Sequence, residues 1–222
     1  MKHVFFEDEA LALDRRDRAM RYRDGWKRVM DMAGALMLAL LAGPLVAVLW
    51  CVVRLDGGPG FFAHRRVGLG GRSFRCWKLR TMCPDAETVL RAHLLADPDA
   101  AREWATTYKL ARDPRVTRIG GILRRSSLDE LPQLWNVLCG EMSLVGPRPV
   151  PPGELGAYGG AVWAYTSCRP GITGLWQVSG RNATSYSDRV RLDIRYLWRM
   201  GAWRDLAILA RTPREILRRS GR

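Results

Sequence analysis

Asp129 and Glu130 are adjacent carboxylates in the segment Arg124-Arg125-Ser126-Ser127-Leu128-Asp129-Glu130-Leu131-Pro132-Gln133-Leu134-Trp135-Asn136. Such a pair can hold a divalent cation, or one member can act as a nucleophile. Arg124 and Arg125 stand just before the pair, and Arg148 follows between Pro147 and Pro149. Arginines beside paired acids suit a substrate with several phosphates bridged by Mg²⁺, an ion held by one or two carboxylates plus the phosphates themselves. A plainer reading competes. Acids in a first turn stabilise a helix start, and Ser127-Leu128-Asp129-Glu130 has the form of a capping box.

Leu131, Leu134, Trp135 and Leu138 recur at helical spacing. Pro132 is harmless only within the first four positions of a helix, so the helix is expected to start at about Leu128 or Asp129. Both acids then sit at its positive end, which favours their ionised forms. Phe74 to Leu79 reads as a strand in a basic neighbourhood (Arg72, Arg75, Lys78, Arg80), and Leu175 to Val178 as another. Residues 85–95, 99–110 and 186–200 have helical periodicity, and Thr212-Pro213-Arg214-Glu215 resembles a helix start. The tail, with Arg211, Arg214, Arg218 and Arg219 beside Trp203, Leu206, Leu209 and Leu217, reads as an interfacial amphipathic helix. The expected class is mostly helical α+β. The Gly-rich stretch from Asp56 to Arg72 is neither G-x-G-x-x-G nor a Walker A loop.

The chain has 222 residues, with Lys+Arg 36 against Asp+Glu 22, a formal charge of +14. A partner carrying negative charge follows: nucleic acid, an anionic bilayer or a phosphorylated substrate. Five cysteines without a C-x-x-C argue against a disulfide framework, and His3, His64 and His93 have no zinc-site spacing.

Met32 to Val53 carries no charge and is long enough to cross a bilayer core of about 30 Å. Gly43-Pro44 at its midpoint predicts a kink. Residues 10–31 and 54–80 each hold seven Lys/Arg, so both flanks favour the cytoplasmic side. A helix–break–helix hairpin that enters and leaves one leaflet satisfies both flanks; a kinked span is the alternative. The domain reading is a polar arm over 1–24, a membrane segment over 25–54 with its break at Gly43-Pro44, and a larger domain over 55–222.

Several motifs together resemble the bacterial sugar transferases, the monotopic phosphoglycosyl transferases that start glycan assembly on polyprenyl phosphate. They are Arg65-Arg66-Val67-Gly68, Lys78-Leu79-Arg80-Thr81-Met82, Asp113-Pro114-Arg115-Val116-Thr117, Ser127 through Leu138, Met142-Ser143-Leu144-Val145-Gly146-Pro147-Arg148-Pro149, and Arg169-Pro170-Gly171-Ile172-Thr173-Gly174-Leu175-Trp176-Gln177-Val178-Ser179-Gly180-Arg181-Asn182. Leu79 and Glu141 depart from the family's usual Phe and Asp. The short length is similar to that of compact members that initiate exopolysaccharide synthesis.

The resemblance implies a small cytoplasmic catalytic domain on a re-entrant hairpin at the inner face of the bacterial plasma membrane, against anionic lipids. It implies a UDP-sugar donor, a polyprenyl (undecaprenyl) phosphate acceptor and a two-step exchange. In that exchange Asp129 forms an aspartyl phosphosugar with loss of UMP, and Glu130 helps hold Mg²⁺ with Asp129. Arg124 and Arg148 match positions that grip phosphate. Asp193 matches a position near the site, or pairs with Arg189 one turn earlier. Arg181 meets the nucleotide or caps a turn. The rival class is a membrane-tethered nucleic-acid binder; no recognition helix or aromatic stacking platform is evident for it.

Overall fold

The computed structural model describes residue 17, residues 19–180 and residues 185–218. It is mostly helical α+β, as expected. Of the N-terminal arm, residues 1–16 and 18 lie outside the described residues; residues 19–24 are helical.

Helix α1, Trp26–Arg54, is the apolar segment. Lys27, Asp31, Ala35 and Val53 are buried along it, and Ala39, Ala42, Leu49 and Trp50 are partly buried against the domain. These positions recur every three or four residues and form one stripe. The opposite face, with Leu36, Leu40, Leu41 and Val48, is exposed. Helical structure runs through Pro44 with no loop at Gly43-Pro44, so the expected division into two helices is not seen. A proline removes one donor, and the turns on both sides of it are long enough to persist.

Both ends of α1 are tied to the same domain. Near its start, Lys27 Nζ lies 2.6 Å from Asp205 Oδ2, and the hydroxyls of Tyr22 and Tyr196 donate to the same carboxylate. Arg28 donates to the carbonyls of Val137 and Leu138. At the other end, Arg80 donates to Val53 O at 2.9 Å, and its remaining donors meet Asp56, Pro59 O and Met82 O. A straight helix of 29 residues is about 43 Å long. One crossing a bilayer with its end in the opposite headgroups would carry that end away from the domain; α1 keeps both.

After α1 come β1 (Phe61–Val67) and β2 (Ser73–Leu79), antiparallel with Phe62 opposite Lys78 and His64 opposite Cys76. β1 lay hidden in the Gly-rich stretch because Phe61-Phe62-Ala63-His64-Arg65-Arg66 has no apolar alternation. Helices α2 (Ala86–Ala96) and α3 (Pro98–Thr107) match the periodicity, with Asp97 capping α3. Next are α4 (Arg118–Ser126), a tight turn over Leu128–Glu130, α5 (Gln133–Leu138) and β3 (Ser143–Val145). A loose helical run over Pro152–Ala161 leads to α6 (Val162–Thr166), β4 (Gly171–Thr173), α7 (Tyr186–Arg199) and α8 (Ala202–Arg218).

β3 pairs with β4 in parallel. The strand expected over Leu175–Val178 is a turn, and its place is taken by Gly171–Thr173. The cause is close backbone approach: a Cβ on Gly171 would stand 2.1 Å from Gly146 N. Pro213 does not start a helix but lies inside α8, whose upstream turns are anchored by buried Asp205 and Ile208. The main core gathers Val137, Met142, Val145, Tyr196 and Leu197 beneath α1, α5, α7 and α8.

Candidate active site

Ser127 ends α4 in the left-handed region (φ 57°) and reverses the chain. The next turn is held by i to i−3 bonds, Glu130 N to Ser127 O and Leu131 N to Leu128 O, and regular α-helix resumes only at Gln133. Ser127 makes no side-chain cap bond, so the capping box that the sequence permits is not formed. The reversal turns Asp129 inward: it is 7% exposed. Burial pushes its carboxyl above the ordinary carboxylate range, while Lys78 pulls it down and Glu130 pushes it up. The expectation of an acid stabilised mainly by helix amides therefore gives way. Desolvation dominates, and the compensating charge is a side-chain ammonium.

That ammonium belongs to β2. Lys78 Nζ lies 2.7 Å from Glu130 Oε1 and 3.6 Å from Asp129 Oδ2. Asn136, fully buried on α5, sets this distance. Its Oδ1 accepts from Trp77 N at 3.0 Å, and its Nδ2 donates to Arg75 O at 2.7 Å and to Glu141. The clamp locks β2 to the helix that follows the acids.

The acids face a cleft of about 560 Å³, lined also by His64, Arg66, Lys78, Thr81, Arg124 and Arg148. Arg124 is aimed by Thr81, whose Oγ1 accepts from its Nε at 2.9 Å. Thr81 is fixed in turn, because Thr117 N donates to Thr81 O and Gly120 lets α4 close on it; a Cβ there would stand 2.0 Å from Thr81 O. Arg148 rides on a pinned strand-like segment. Gly171 N donates to Pro147 O, Val67 N donates to Val150 O, and Val150 N donates to the hydroxyl of Tyr165. The guanidinium groups of Arg66 and Arg148 have no hydrogen-bond or ion-pair partner among the described residues. Burial, with Arg66 and Lys78 beside it, lowers the pKa of His64 and favours the neutral ring. Arg80 also lines the cleft, but its donors are spent on the wall.

The sequence-derived candidates divide. Asp129, Glu130, Arg124 and Arg148 converge on the cleft. Asp193 does not line it: it is buried on α7 and accepts from the Tyr158 hydroxyl at 2.7 Å. Its alternative partner, Arg189, instead donates to Glu154 Oε1 and to Arg148 O. Arg181 lies outside the described residues. Arg66 and Lys78 stand in the motifs without a site role being read from them, and His64 carries no motif signal. The available signal was i, i+2 spacing on β1 together with the cross-strand register, which becomes visible only once the hairpin is known.

The donor set fits Mg²⁺. Two carboxylates on one turn already hold a cation, the Lys78 ammonium, against both. Among the described residues no cluster of three or more His, Cys, Asp or Glu could hold a metal by itself, so other ligands would come from substrate phosphate. Paired acids flanked by open arginines suit an anionic phosphoester.

The model of the family described as bacterial sugar transferase matches residues 22–219. The chain belongs to the bacterial sugar transferase family. Its relatives include the "Undecaprenyl-phosphate galactose phosphotransferase" of Salmonella typhimurium, 44% identical over all of this chain and 46% of that protein. The "UDP-galactose-lipid carrier transferase" of Erwinia amylovora is 50% identical over 88% of this chain and 41% of its own. "Exopolysaccharide production protein ExoY" of Rhizobium meliloti is 48% identical over 84% of this chain and 83% of its own. The chain thus spans less than half of the first two relatives and most of the third. The family match includes every residue that lines the cleft, from Pro59 to Arg148.

Proposed function

We propose that this sugar transferase moves a sugar 1-phosphate from a UDP-sugar to polyprenyl (undecaprenyl) phosphate, releasing UMP, and so begins exopolysaccharide or related glycan synthesis. The observation that carries the reading is the buried Asp129, flanked by Glu130 and Lys78, at the base of a cleft with two open arginines. An Asp129 oxygen attacks the phosphorus that bears the sugar. The bond from that phosphorus to the bridging oxygen breaks, and UMP leaves with the electron pair. The acceptor's phosphate oxygen then attacks the same phosphorus and frees the carboxylate, leaving a polyprenyl diphosphate sugar. Splitting the exchange in this way is covalent catalysis.

Arg124, Arg148 and Arg66 bind the diphosphate oxygens. Lys78 keeps Asp129 ionised despite its burial. Asp129 and Glu130 would hold Mg²⁺, which supplies charge neutralisation for the diphosphate. The exposed apolar face of α1, with both its ends on one domain, supports insertion into one leaflet, here assigned to the cytoplasmic face of the inner membrane against anionic lipids.

Membranes containing the protein, supplied with Mg²⁺, a UDP-sugar and polyprenyl phosphate, should release UMP. Asp129→Asn should lower that release by about a thousandfold or more, and a phosphosugar should be trappable on Asp129. Release of UDP would overturn the reading. Galactose and glucose donors head the panel to be assayed.

A further inference from the structure

An apolar groove of about 730 Å³ runs between α1 and α8, with Leu38 and Leu41 on one wall, Leu206 and Ile216 on the other, and Leu144 and Ile172 as its floor. Its lining includes Ser127 and Glu130, which also line the polar cleft. The turn that carries the acids is therefore a shared wall between a site for phosphates and a channel for hydrocarbon. We propose that this groove seats the first isoprene units of the lipid acceptor and delivers its phosphate to Glu130 and Lys78. The proposal rests on the phosphosugar-transfer reading and adds where the acceptor lies.

Three observations select the occupant. First, among the described residues the polar side chains along the groove away from its Ser127 edge are already partnered. Thr173 and Thr212 hydroxyls bond each other at 2.8 Å, and Asp205 is consumed by Lys27, Tyr22 and Tyr196. An alkyl chain entering it strands no donor or acceptor, which is the usual cost of burying polar walls. Second, Leu41 and Leu206 line the groove and are also exposed, so it opens on the apolar outer surface of α1 and α8, from which a lipid would enter. Third, a second apolar cavity does not lead to the acids. On the far side of α1, about 370 Å³ between Phe61, Trp77, Val46 and Trp135 reaches Leu131 and Pro132 but neither acid. A chain lodged there would have its phosphate away from the cleft.

The test separates the two half-reactions. Full-length protein in nanodiscs is assayed for exchange of labelled UMP into UDP-sugar, which needs no lipid, and for transfer to a long polyprenyl phosphate. Leu206→Trp and Ile216→Trp, which narrow the groove, should leave exchange within about twofold and raise KM for the long acceptor about tenfold or more. Val46→Trp, in the other cavity, should change neither. A polyprenyl phosphate with a diazirine on its first isoprene units should label α8 or Met37, Leu38 or Leu41 of α1, in unaltered protein and without turnover. Unchanged acceptor KM in the groove variants, an equal effect from Val46→Trp, or labelling confined to the Phe61–Trp77 cavity would each overturn the proposal. Should the groove variants lose exchange as well, the labelling pattern decides. Absence of UMP exchange in the unaltered protein would instead defeat the phosphosugar-transfer reading.

Discussion

Burial and one phenol hydrogen bond set the charge of Asp193. Desolvation raises its pKa from an ordinary 3.8 to about 6, against the lowering influence of the Tyr158 hydroxyl and Arg189. The folded chain therefore holds a proton that the unfolded chain releases between those values. Its contribution to stability is complete below about pH 4 and is lost as pH rises through 6, by on the order of 3 kcal/mol. Asp193→Asn keeps an acceptor for Tyr158 and never ionises. The variant's melting temperature in detergent, relative to the unaltered protein, should rise steadily from pH 4 to pH 7. A difference that stays flat with pH would refute this account. Asp193 thus acts on the site from behind, through the packing of Tyr158 and Tyr165 under the segment that carries Arg148.

Among the elements, α5 and β2 form the unit that matters most for chemistry. The six residues of α5 contribute little intrinsic helix stability, since so short a helix cannot repay its nucleation in water. Tertiary contacts hold it: Val137 in the core, Arg28 on its last carbonyls, and Asn136 bridging to β2. Asn136→Ala would leave Trp77 N–H and Arg75 C=O without their partner. We expect a loss of about 2–4 kcal/mol in stability. Because Lys78 would no longer be held against the acids, kcat for transfer should fall more than the donor KM changes. A variant with normal kcat at a temperature where it remains folded would show that the clamp is not needed to position Lys78. α8 answers a different demand. It buries Asp205 and Ile208 and exposes Trp203, Leu206 and Leu217, the distribution expected of a helix lying in a headgroup region.

For the molecule as a whole, α1 carries a stripe of domain contacts on one side and bare apolar surface on the other. Such a face is costly in water at about 25 cal/mol per Å², and lipid removes that cost. Tethers at Lys27–Asp205 and at Arg80–Val53 hold both ends on the same body. Single cysteines placed at Asp24 and at Asp56, in a background lacking the native cysteines, should therefore show the same accessibility to an impermeant thiol reagent in sealed vesicles. Opposite accessibility would establish a span and refute the one-leaflet arrangement.

The acid pair, its two arginines, the apolar segment and most helices were legible in the sequence, because each is encoded locally. A charge-free run, a proline that limits where a helix begins, and apolar residues three and four apart depend on neighbouring residues alone. The family motifs added the chemistry that spacing by itself leaves open. Partnership across the chain was not legible. Lys78 meets Asp129 only because Asn136 locks two elements some sixty residues apart. Asp129 becomes buried only because Ser127 turns the chain left-handed, and Asp193 withdraws from the cleft only because Tyr158 claims it. Desolvation and long-range hydrogen bonds depend on what surrounds a residue in space, so they were decided by tertiary packing.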